Sequence, residues 1–544
     1  MRRFFSVLRL AISCLSGFFS AVLLVWQLSP PAATAQTCTF SLSSSSQNFA
    51  AGGGTGSLAV TASLSSCNWT AASNAPWINI SSGASGSGNG TVSYAVSLNP
   101  APTPRNGTLT IAGQTLTLTQ DAGLGGLQFY PLATPVRLLD TRSGASGCVT
   151  ATGAIAANTT WTQPARTACS TIPANATAII GNITVVPSGP GFLTLFPSDA
   201  TQPTVANSNF KAGEVTNNFF TVGLGADGGF KLFSSATTDV IIDLTGYYAP
   251  PGVGGLYYHP LPSPVRLVET RAGQSGCFQP AQLIGTNNPN ADPSLDLQVQ
   301  GRGPGLPSAC NGIPGDAAVL VGNATTVLPN APFGFGYLSI YPSDAARPTV
   351  ASSNYATNDV INGPFAVKLG ADGKFKIYTF STTHLVVDIT GYYSASATDA
   401  NGAGLLFNPL PKPMRLLETR PDFPGFPLTG CYRTNTPIQG SPNIRTQPAW
   451  GACPDQPSLM IPNTARALAG NATVLNPASA GFATFFPGDV ASAPTVATSN
   501  YPFPVSFGYN RHYYVGLSGT DGSFKALTQF TTDLIMDVAG YFAP

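Results

Sequence analysis

The chain has 544 residues, which is too many for one hydrophobic core and predicts three to five domains. Gly, Ser, Thr, Asn and Pro are abundant, only 9% of the residues are charged, and the strong helix formers Lys and Glu are scarce, so the composition favours an all-β protein. The formal net charge is +1 without clusters of Lys and Arg, which argues against a nucleic-acid partner.

The first residues have the pattern of a secretory signal peptide. Arg2, Arg3 and Arg9 precede a long apolar run, and residues 33–35 (Ala-Thr-Ala) have the small side chains of a cleavage site. We predict that residues 1–35 are a signal peptide and that the protein is secreted or held at the cell surface. The alternative is an uncleaved membrane anchor, since the apolar run is long for a signal. Cleavage would leave 21 basic against 23 acidic residues, and no later segment is apolar enough to span a membrane.

Residues 36–123 have the pattern of a small antiparallel β-sandwich. Apolar and polar residues alternate in the segments GSLAVTAS, TVSYAVSL, GTLTIAG and QTLTLTQ, and turn residues separate them. The segments CNWTA, SNAPWI, GSGNGTV and RNGTLTI resemble the BACON domain. This resemblance implies an immunoglobulin-like β-sandwich that binds carbohydrate.

Two tryptophans are the candidate sugar-binding residues of this module. The ring faces of Trp69 and Trp77 would suit the apolar face of a sugar, and Asn74 would supply a hydrogen bond. The alternative is that both indoles belong to the core, because Trp is heavily buried on average. The predicted ligand is a polysaccharide, a mucin-like glycan or another component of the cell envelope.

The rest of the chain contains three copies of one unit, at residues 127–250, 256–395 and 404–544. Each copy begins with a variant of PVRLLDTR, continues through segments such as TAIIGNITVV and GFLTLFPSD, and ends near a segment such as DLTGYYAP. The apolar, β-branched runs have strand length, and the ADG or TDG segment between two of them is typical of a hairpin turn. Each copy is therefore predicted to be a β-sandwich or barrel with its own core.

These units resemble the PxRLLDTR…GYF repeats of secreted and cell-wall-associated bacterial proteins. The resemblance implies an exported protein and brings no assigned activity. Between the two cysteines, the second copy has a much longer loop than the other copies. This loop is either a place where ligand specificity resides or a tolerated insertion.

Eight cysteines remain after signal cleavage, two in the N-terminal module and two in each copy. Pairing within each module is the natural interpretation, and export supports oxidation. Metal binding would need a CxxC-type spacing, which is absent, so we predict no metal site. The predicted pairs are Cys38 with Cys67, Cys148 with Cys169, Cys277 with Cys310, and Cys431 with Cys453.

The PVRLLDTR segment carries two arginines and one carboxylate in a chain with few charges. Strict strand alternation would place Arg137 on one face and Asp140 with Arg142 on the other. Arg142 would then pair either with Asp140 or with Asp243 of the closing strand. A structural ion pair tolerates the exchange of Asp for Glu between copies better than a ligand site or a catalytic carboxylate pair does. The predicted ion-pair residues are Arg137, Asp140, Arg142 and Asp243 in the first copy, Arg266, Glu269, Arg271 and Asp388 in the second, and Arg415, Glu418, Arg420 and Asp537 in the third.

The sequence contains no recognisable catalytic motif. G-x-S-x-G, H-E-x-x-H and the P-loop are absent, and His259, His384 and His512 occupy different positions in the three copies. We therefore predict no catalytic residue and no cofactor. The predicted function is that of an exported, non-enzymatic protein that binds glycans or other surface material through several β-modules, whose weak sites would gain avidity together. The alternatives are a structural spacer without a specific ligand and, less favoured, a secreted hydrolase.

Overall fold

A computed structural model describes residues 37–544, apart from residues 50–52, 98, 100–103, 122–124, 151–152, 288–291, 293–295, 304, 308–309, 311, 423–427, 455 and 506–507. The predicted signal peptide at 1–35 lies outside the described residues. Every named element in the described part is a β-strand, so the predicted all-β fold class is confirmed. The described residues include no helix with the length and hydropathy to cross a membrane.

The first nine strands form a two-sheet sandwich. They are β1 (Phe40–Leu42), β2 (Ser46–Phe49), β3 (Gly54–Ala62), β4 (Asn68–Ser73), β5 (Ile78–Ser82), β6 (Ser85–Ser87), β7 (Gly90–Val96), β8 (Arg105–Ile111) and β9 (Gln114–Gln120). One sheet has the order β1-β3-β7-β5 and the other β2-β9-β8-β4-β6. Alternate residues of the strands, such as Leu58 and Val60, face a common core, which is why the alternating segments of the sequence form half-buried strands.

Eight strands of the first copy follow. They are β10 (Gln128–Asp140), β11 (Thr159–Pro164), β12 (Ala178–Pro187), β13 (Gly191–Pro197), β14 (Ser208–Phe210), β15 (Thr216–Gly223), β16 (Gly229–Ser234) and β17 (Thr238–Ala249). The two sheets have the orders β10-β17-β12-β15 and β11-β16-β13-β14, and all neighbouring strands are antiparallel. This order is that of an eight-stranded jelly roll.

The second copy repeats the same topology. Its strands are β18 (Tyr257–Glu269), β19 (Leu297–Gln300), β20 (Val319–Asn330), β21 (Phe335–Pro342), β22 (Ser353–Ala356), β23 (Val360–Lys368), β24 (Lys374–Thr379) and β25 (Thr382–Ser394). They form sheets of the order β18-β25-β20-β23 and β19-β24-β21-β22. A short hairpin of β26 (Thr398–Asp399) and β27 (Gly402–Ala403) leads to the third copy.

The third copy adds an edge strand and a small hairpin to this topology. Its strands are β28 (Leu406–Glu418), β29 (Tyr432–Arg433), β30 (Ile444–Pro448), β31 (Gly451–Cys453), β32 (Gln456–Ile461), β33 (Ala467–Leu475), β34 (Gly481–Pro487), β35 (Ser499–Tyr501), β36 (Tyr509–Gly516), β37 (Ser523–Thr528) and β38 (Asp533–Ala543). The main sheets are β29-β28-β38-β33-β36 and β30-β37-β34-β35, and β31 pairs with β32.

In each jelly roll, the sheet that contains the PVRLLDTR strand is buried on both faces. In β12, Ile179 and Ile183 face the core of the first jelly roll, whereas Ala178 and Ile180 face the other copies. A strand that is buried on both faces requires a continuous apolar run, and this explains segments such as TAIIGNITVV. We call this sheet the inner sheet of each copy and its partner the outer sheet.

The three jelly rolls close into a ring around a pseudo-threefold axis. Short β-bridges join the starts of the three inner sheets in pairs: Leu127 to Phe407, Phe129 to Leu256, and Tyr258 to Leu405. Each copy therefore contacts both others through equivalent residues, and a head-to-tail contact that returns to its origin closes a ring. The repeats thus do not form a linear row of modules.

Buried aromatic rings fill the axis near these bridges. The hydroxyl groups of Tyr248 and Tyr393, from the first and second copies, lie 2.6 Å apart. The ring of Phe407 from the third copy lies over Tyr248, with centroids 4.3 Å apart. Because this core is shared by all three copies, removing one copy would expose the aromatic faces of the other two.

Four disulfides lie within single modules. Each joins cysteines that the module boundaries predict as partners. Each bridge closes a loop, which lowers the conformational entropy of the unfolded chain and so stabilises the folded state by about 3 kcal/mol. The pairs are Cys38–Cys67, Cys148–Cys169, Cys277–Cys310 and Cys431–Cys453.

The N-terminal sandwich lies against the third copy. The hydroxyl of Ser97 is 3.8 Å from the sulfur of Met460. The charge of Arg105 in β8 also acts on the hydroxyl of Tyr541 in β38. The sandwich therefore contacts the third copy at β32 and near the end of β38.

Candidate functional site

The recurring charges of the PVRLLDTR segment form a buried ion-pair cluster in every copy. In the first copy, Arg137 binds Asp243 of the closing strand side-on, with Nε–Oδ1 and Nη2–Oδ2 distances of 2.8 and 3.2 Å. Its Nη1 also lies 3.2 Å from Asp140, and Arg142 binds the same carboxylate at 2.7 Å. Equivalent contacts occur in the second copy among Arg266, Glu269, Arg271 and Asp388, and in the third among Arg415, Glu418, Arg420 and Asp537.

Of the two pairings predicted for Arg142, the one with Asp140 is present, whereas the pairing with Asp243 and the strict strand alternation are wrong. Strict alternation places Arg137 and Asp140 on opposite faces, whereas a register shift between Arg137 and Leu139 brings them to the same side. The partner of Asp243 is therefore Arg137, directly across the strands, and not Arg142. The same shift recurs in the second and third copies, so the bulge is a fixed part of the motif.

Burial and arginine contacts act differently on the two carboxylates of the cluster. Burial would raise the pKa of Asp140, but the hydrogen bonds and charge of Arg142 outweigh it and hold that pKa below its usual value. For Asp243, burial dominates over the contact with Arg137 and raises the pKa. A cleft between the first and second copies reaches Asp243, but the carboxylate that it meets is already bound by Arg137.

The threonine of the same motif is also structural, and sequence reasoning missed it. Thr141 donates from its hydroxyl to Asp239 at 2.7 Å and accepts the amide of Val240 at 2.9 Å. In the third copy, the equivalent Thr419 contacts Asp533 in the same way. The signal was present in the sequence, because Thr occupies this position in all three copies of the segment.

The ion-pair cluster of each copy touches the next copy of the ring. Arg137 donates to the carbonyl of Thr349 in the second copy at 3.2 Å. The amide of Ala497 in the third copy donates to Asp388 in the second at 3.2 Å. Thr349 belongs to a Pro-Thr-Val segment and Ala497 directly follows one, so these recurring segments lie at the contact between copies. The charges thus join the first strand to the last and also join neighbouring copies.

Three equivalent asparagines also join each copy to the next copy of the ring. Each donates from its side-chain amide to a backbone carbonyl of the next copy and accepts a backbone amide from that copy, which satisfies both ends of the amide group. The contacts are Asn217 with Ser352 and Asn354, Asn362 with Thr498 and Asn500, and Asn510 with Asn207 and Asn209, all between 2.6 and 2.9 Å.

A single arginine from the third copy lies on the axis between these asparagines. The guanidinium of Arg511 donates to the backbone carbonyls of Asn362 at 2.6 Å, Asn510 at 2.9 Å and Asn217 at 3.2 Å, one from each copy. It also donates to the hydroxyl of Tyr509, and burial lowers its pKa. By register, the equivalent residues of the first and second copies are smaller, Asn218 and Gly363.

In the N-terminal sandwich, Trp69 is a core residue. Its indole is 5% exposed, and its N–H donates to the carbonyl of Gly88 at 2.8 Å. A Cβ atom at Gly86 would lie 2.3 Å from the indole, so the GSGNG segment is glycine-rich because it packs against this ring. Trp69 is therefore a core residue, as the alternative interpretation predicts, and not an exposed ring for sugar stacking.

Trp77 and Asn74 remain nearer the surface. Trp77 is half-buried, and the guanidinium of Arg105 lies 4.3 Å from its ring centroid. Asn74 is exposed, and its amide donates to the hydroxyls of Thr108 at 3.0 Å and Thr110 at 2.9 Å. The three candidate binding residues are therefore not brought together on one open surface.

Residues 68–121 match the family model BACON, described as "Putative binding domain, N-terminal". The match confirms the resemblance of the N-terminal module. No curated protein matches the chain. The BACON segment includes Asn74, Trp77 and Arg105 and ends where the strands of the first jelly roll begin.

The outer sheet of the second copy carries an exposed group of aromatic side chains, which we call the aromatic face. It consists of Phe333, Phe335, Tyr337 and Phe380. Phe333 and Phe335 are 65% and 63% exposed, whereas Phe380 is buried. Phe380 lies between Phe333 and Tyr337, with centroid distances of 5.9 and 5.8 Å and interplanar angles of 21° and 9°.

Sequence reasoning missed the aromatic face, although the signal was readable. The segment FGFGY places an aromatic residue at every second position. Phe335 and Tyr337 lie in β21 and share one face of that strand, and Phe333 lies in the turn before it. By register, Phe192 and Phe482 stand at the position of Tyr337 in the first and third copies. The second copy extends this recurring position into a larger surface.

The three histidines have unrelated surroundings. His259 stacks on Tyr392, His384 contacts the hydroxyl of Thr270 at 3.2 Å, and His512 is buried at the axis. In the described part of the chain, no group of three His, Cys, Asp or Glu side chains is placed to hold a metal ion.

Burial of His512 should make the ring less stable in mild acid. Burial lowers the pKa of His512 from 6.5 to about 3, so between these values the unfolded chain binds a proton that the folded chain does not. As the pH falls through that window, the free energy of unfolding should decrease by about 1.4 kcal/mol per pH unit on account of this residue. Urea denaturation at pH 7, 5.5 and 4.5 would measure it. The variant His512→Phe, which carries the residue found at the equivalent Phe219, should lose this contribution, and an unchanged pH slope would contradict the assignment.

Proposed function

We propose that the chain is an exported, non-enzymatic protein that binds glycans or other extracellular material through its β-modules. The observation that carries the proposal is the match of residues 68–121 to a family of binding domains. The four disulfides support export, because disulfides persist in oxidising compartments. A polysaccharide, a mucin-like glycan or another cell-envelope component is the expected partner.

The state of the recurring carboxylates supports a non-enzymatic role. Glycoside hydrolysis uses one carboxyl group to protonate the leaving oxygen and a second to attack or to activate water. Asp140 and Asp243 are instead bound by arginines at 2.7 to 3.2 Å, and both are nearly inaccessible to solvent. The same holds for Glu418 and Asp537 in the third copy.

Ring closure argues against the spacer alternative. A spacer gains length with every module, whereas three copies around one axis add little length for their mass. The ring instead directs three equivalent outer sheets outward around the axis, an arrangement that suits several weak contacts with one extended ligand.

Binding of the mature chain to glycans tests this function. Affinity electrophoresis of residues 36–544 through gels that contain neutral polysaccharides, acidic polysaccharides or mucin should show retardation by at least one. If the BACON module contributes, Trp77→Ala should weaken binding about tenfold, or about 1.4 kcal/mol. The control is Gln114→Ala, an exposed residue at a hairpin of the same module. A wild-type chain that no glycan retards would contradict the proposal.

A further inference from the structure

We propose that the aromatic face of the second copy is a binding site for a neutral polysaccharide, an inference that rests on the proposed function. The face is formed by Phe333, Phe335, Tyr337 and Phe380, and it lies outside the segment that matches a binding domain. Two of its rings are largely exposed in a chain whose other aromatic side chains are mostly packed.

The exposure of these rings is costly unless a partner covers them. Fully burying a Phe side chain is worth about 1.5–3 kcal/mol relative to leaving it in water. Adjacent exposed apolar residues typically mark an interaction surface. Phe333 and Phe335 lie at the end of one hairpin, and the exposed Leu328 of the preceding strand adds to the same loop region. From the equivalent asparagine to the equivalent aromatic residue, the chain covers 10 positions in the first copy (Asn182 to Phe192) and 11 in the third (Asn471 to Phe482), but 14 in the second (Asn323 to Tyr337), so this extension belongs to the second copy.

The arrangement of the rings fits the apolar face of a sugar. An aromatic ring has a negative face, which attracts the partly positive C–H groups that cover one side of a pyranose. Phe335 and Tyr337 point to the same side of β21 and are separated by about 6.8 Å along the strand. Phe380 lies between Phe333 and Tyr337, so these two rings are held in place by a buried ring before any ligand binds.

The charges around the face favour an uncharged ligand. Arg347, which lies over Tyr378 next to Tyr337, is 3.6 Å from the carboxylate of Asp296, so these two charges offset one another. Lys376 and Asp292 also act on Asp296, so charges of both signs are mixed here and neither an acidic nor a basic polymer is favoured. Neutral polysaccharide is the occupant to which these observations point.

Equivalent aromatic positions on the other two copies would make the binding multivalent. Phe192 in the first copy, 37% exposed, and Phe482 in the third occupy the place of Tyr337 on their own outer sheets. A long polymer that contacts the second copy could thus meet weaker aromatic positions on its neighbours. Such linked contacts raise avidity without new chemistry.

The test compares variants of the mature chain with cellulose, chitin and soluble xylan as neutral probes and polygalacturonate as the acidic one. The double variant Phe333→Ala/Phe335→Ala should bind the neutral probe at least tenfold more weakly than the wild type. The control Phe503→Ala removes an exposed Phe of the third copy and should bind normally. Near-ultraviolet circular dichroism should show that both variants are folded.

The other outcomes separate this inference from the proposed function. If the wild type binds a neutral probe and the double variant binds equally well, the aromatic face is not the site, while the function stands. If only polygalacturonate binds, the neutral ligand class is wrong. If sedimentation shows a dimer that the double variant dissociates, and binding is unchanged, the face is a contact between two copies of the chain. If the wild type binds neither these polysaccharides nor mucin, both proposals fail.

Discussion

Replacing Asp537 with alanine should lower the free energy of unfolding of the ring by about 3–5 kcal/mol. Asp537 is 3% exposed and binds Arg415, whose side chain is only 11% exposed. Without it, the buried guanidinium keeps only Glu418 as a charged partner, and the amide of Ala206 loses an acceptor. The substitution therefore weakens both the third copy and its contact with the first.

Urea denaturation followed by circular dichroism would measure this loss. The matched control is Lys211→Ala, which removes a surface ion pair with Glu214 whose partners are 39% and 50% exposed, and it should cost less than about 1 kcal/mol. Equal effects of the two substitutions would mean that the recurring cluster contributes no more than a surface pair. The same reasoning applies to Asp243 and Asp388 in the other copies.

Replacing Arg511 with alanine should lower the free energy of unfolding by about 3 kcal/mol. The guanidinium satisfies three backbone carbonyls, one from each copy, and each buried acceptor that loses its donor costs about 1–3 kcal/mol. The removed volume leaves a polar space on the axis, which water can fill in part. Because all three copies lose a contact at once, the loss should appear in the cooperativity of the ring as well as in its stability.

Differential scanning calorimetry would detect both changes. The ring of the wild type should unfold in one transition, and Arg511→Ala should lower the midpoint and broaden or split that transition. Arg511→Lys keeps a positive charge but lacks the planar fork that reaches several carbonyls, so it should recover only part of the stability. An alanine variant as stable as the wild type would show that burying the guanidinium costs as much as its hydrogen bonds contribute.

The fold class could be predicted because it depends on local pattern. Alternation in GSLAVTAS indicates a half-buried strand, and the apolar run TAIIGNITVV indicates a strand that is buried on both faces. The partners within each disulfide also followed from the repeat, since every module holds one pair of cysteines. These features need no knowledge of how distant segments meet.

The pairing of charges could be predicted only in part. The identity of the ion-pair residues was readable from their recurrence, but the bulge between Arg137 and Leu139 reverses the face of Asp140. A bulge is decided by how two strands fit together, and a single strand pattern does not reveal it. Asn217 likewise reads as an ordinary strand residue until the neighbouring copy places Ser352 beside it.

Arg511 was the least predictable of the important residues. Its position has Asn218 and Gly363 in the other copies, so comparison of the repeats suggests a variable and unimportant place. Its role exists only at the axis, where one side chain meets groups from three segments more than a hundred residues apart. The aromatic face, by contrast, was readable from FGFGY and required only attention to the period of two.

The position of Arg511 has a consequence for what one continuous chain can do that three separate chains cannot. A trimer of identical subunits must bring every axial side chain in threes, and three guanidinium groups would compete for one place and repel one another. Here the three copies differ in sequence, so only one of them places an arginine on the axis. The same freedom allows Phe333 and Phe335 to occur on a single side of the molecule. Because the three copies are covalently linked, each copy can carry its own specialised residues within a nearly symmetric ring. The linkage also prevents an exchange of subunits that would mix the copies in other combinations.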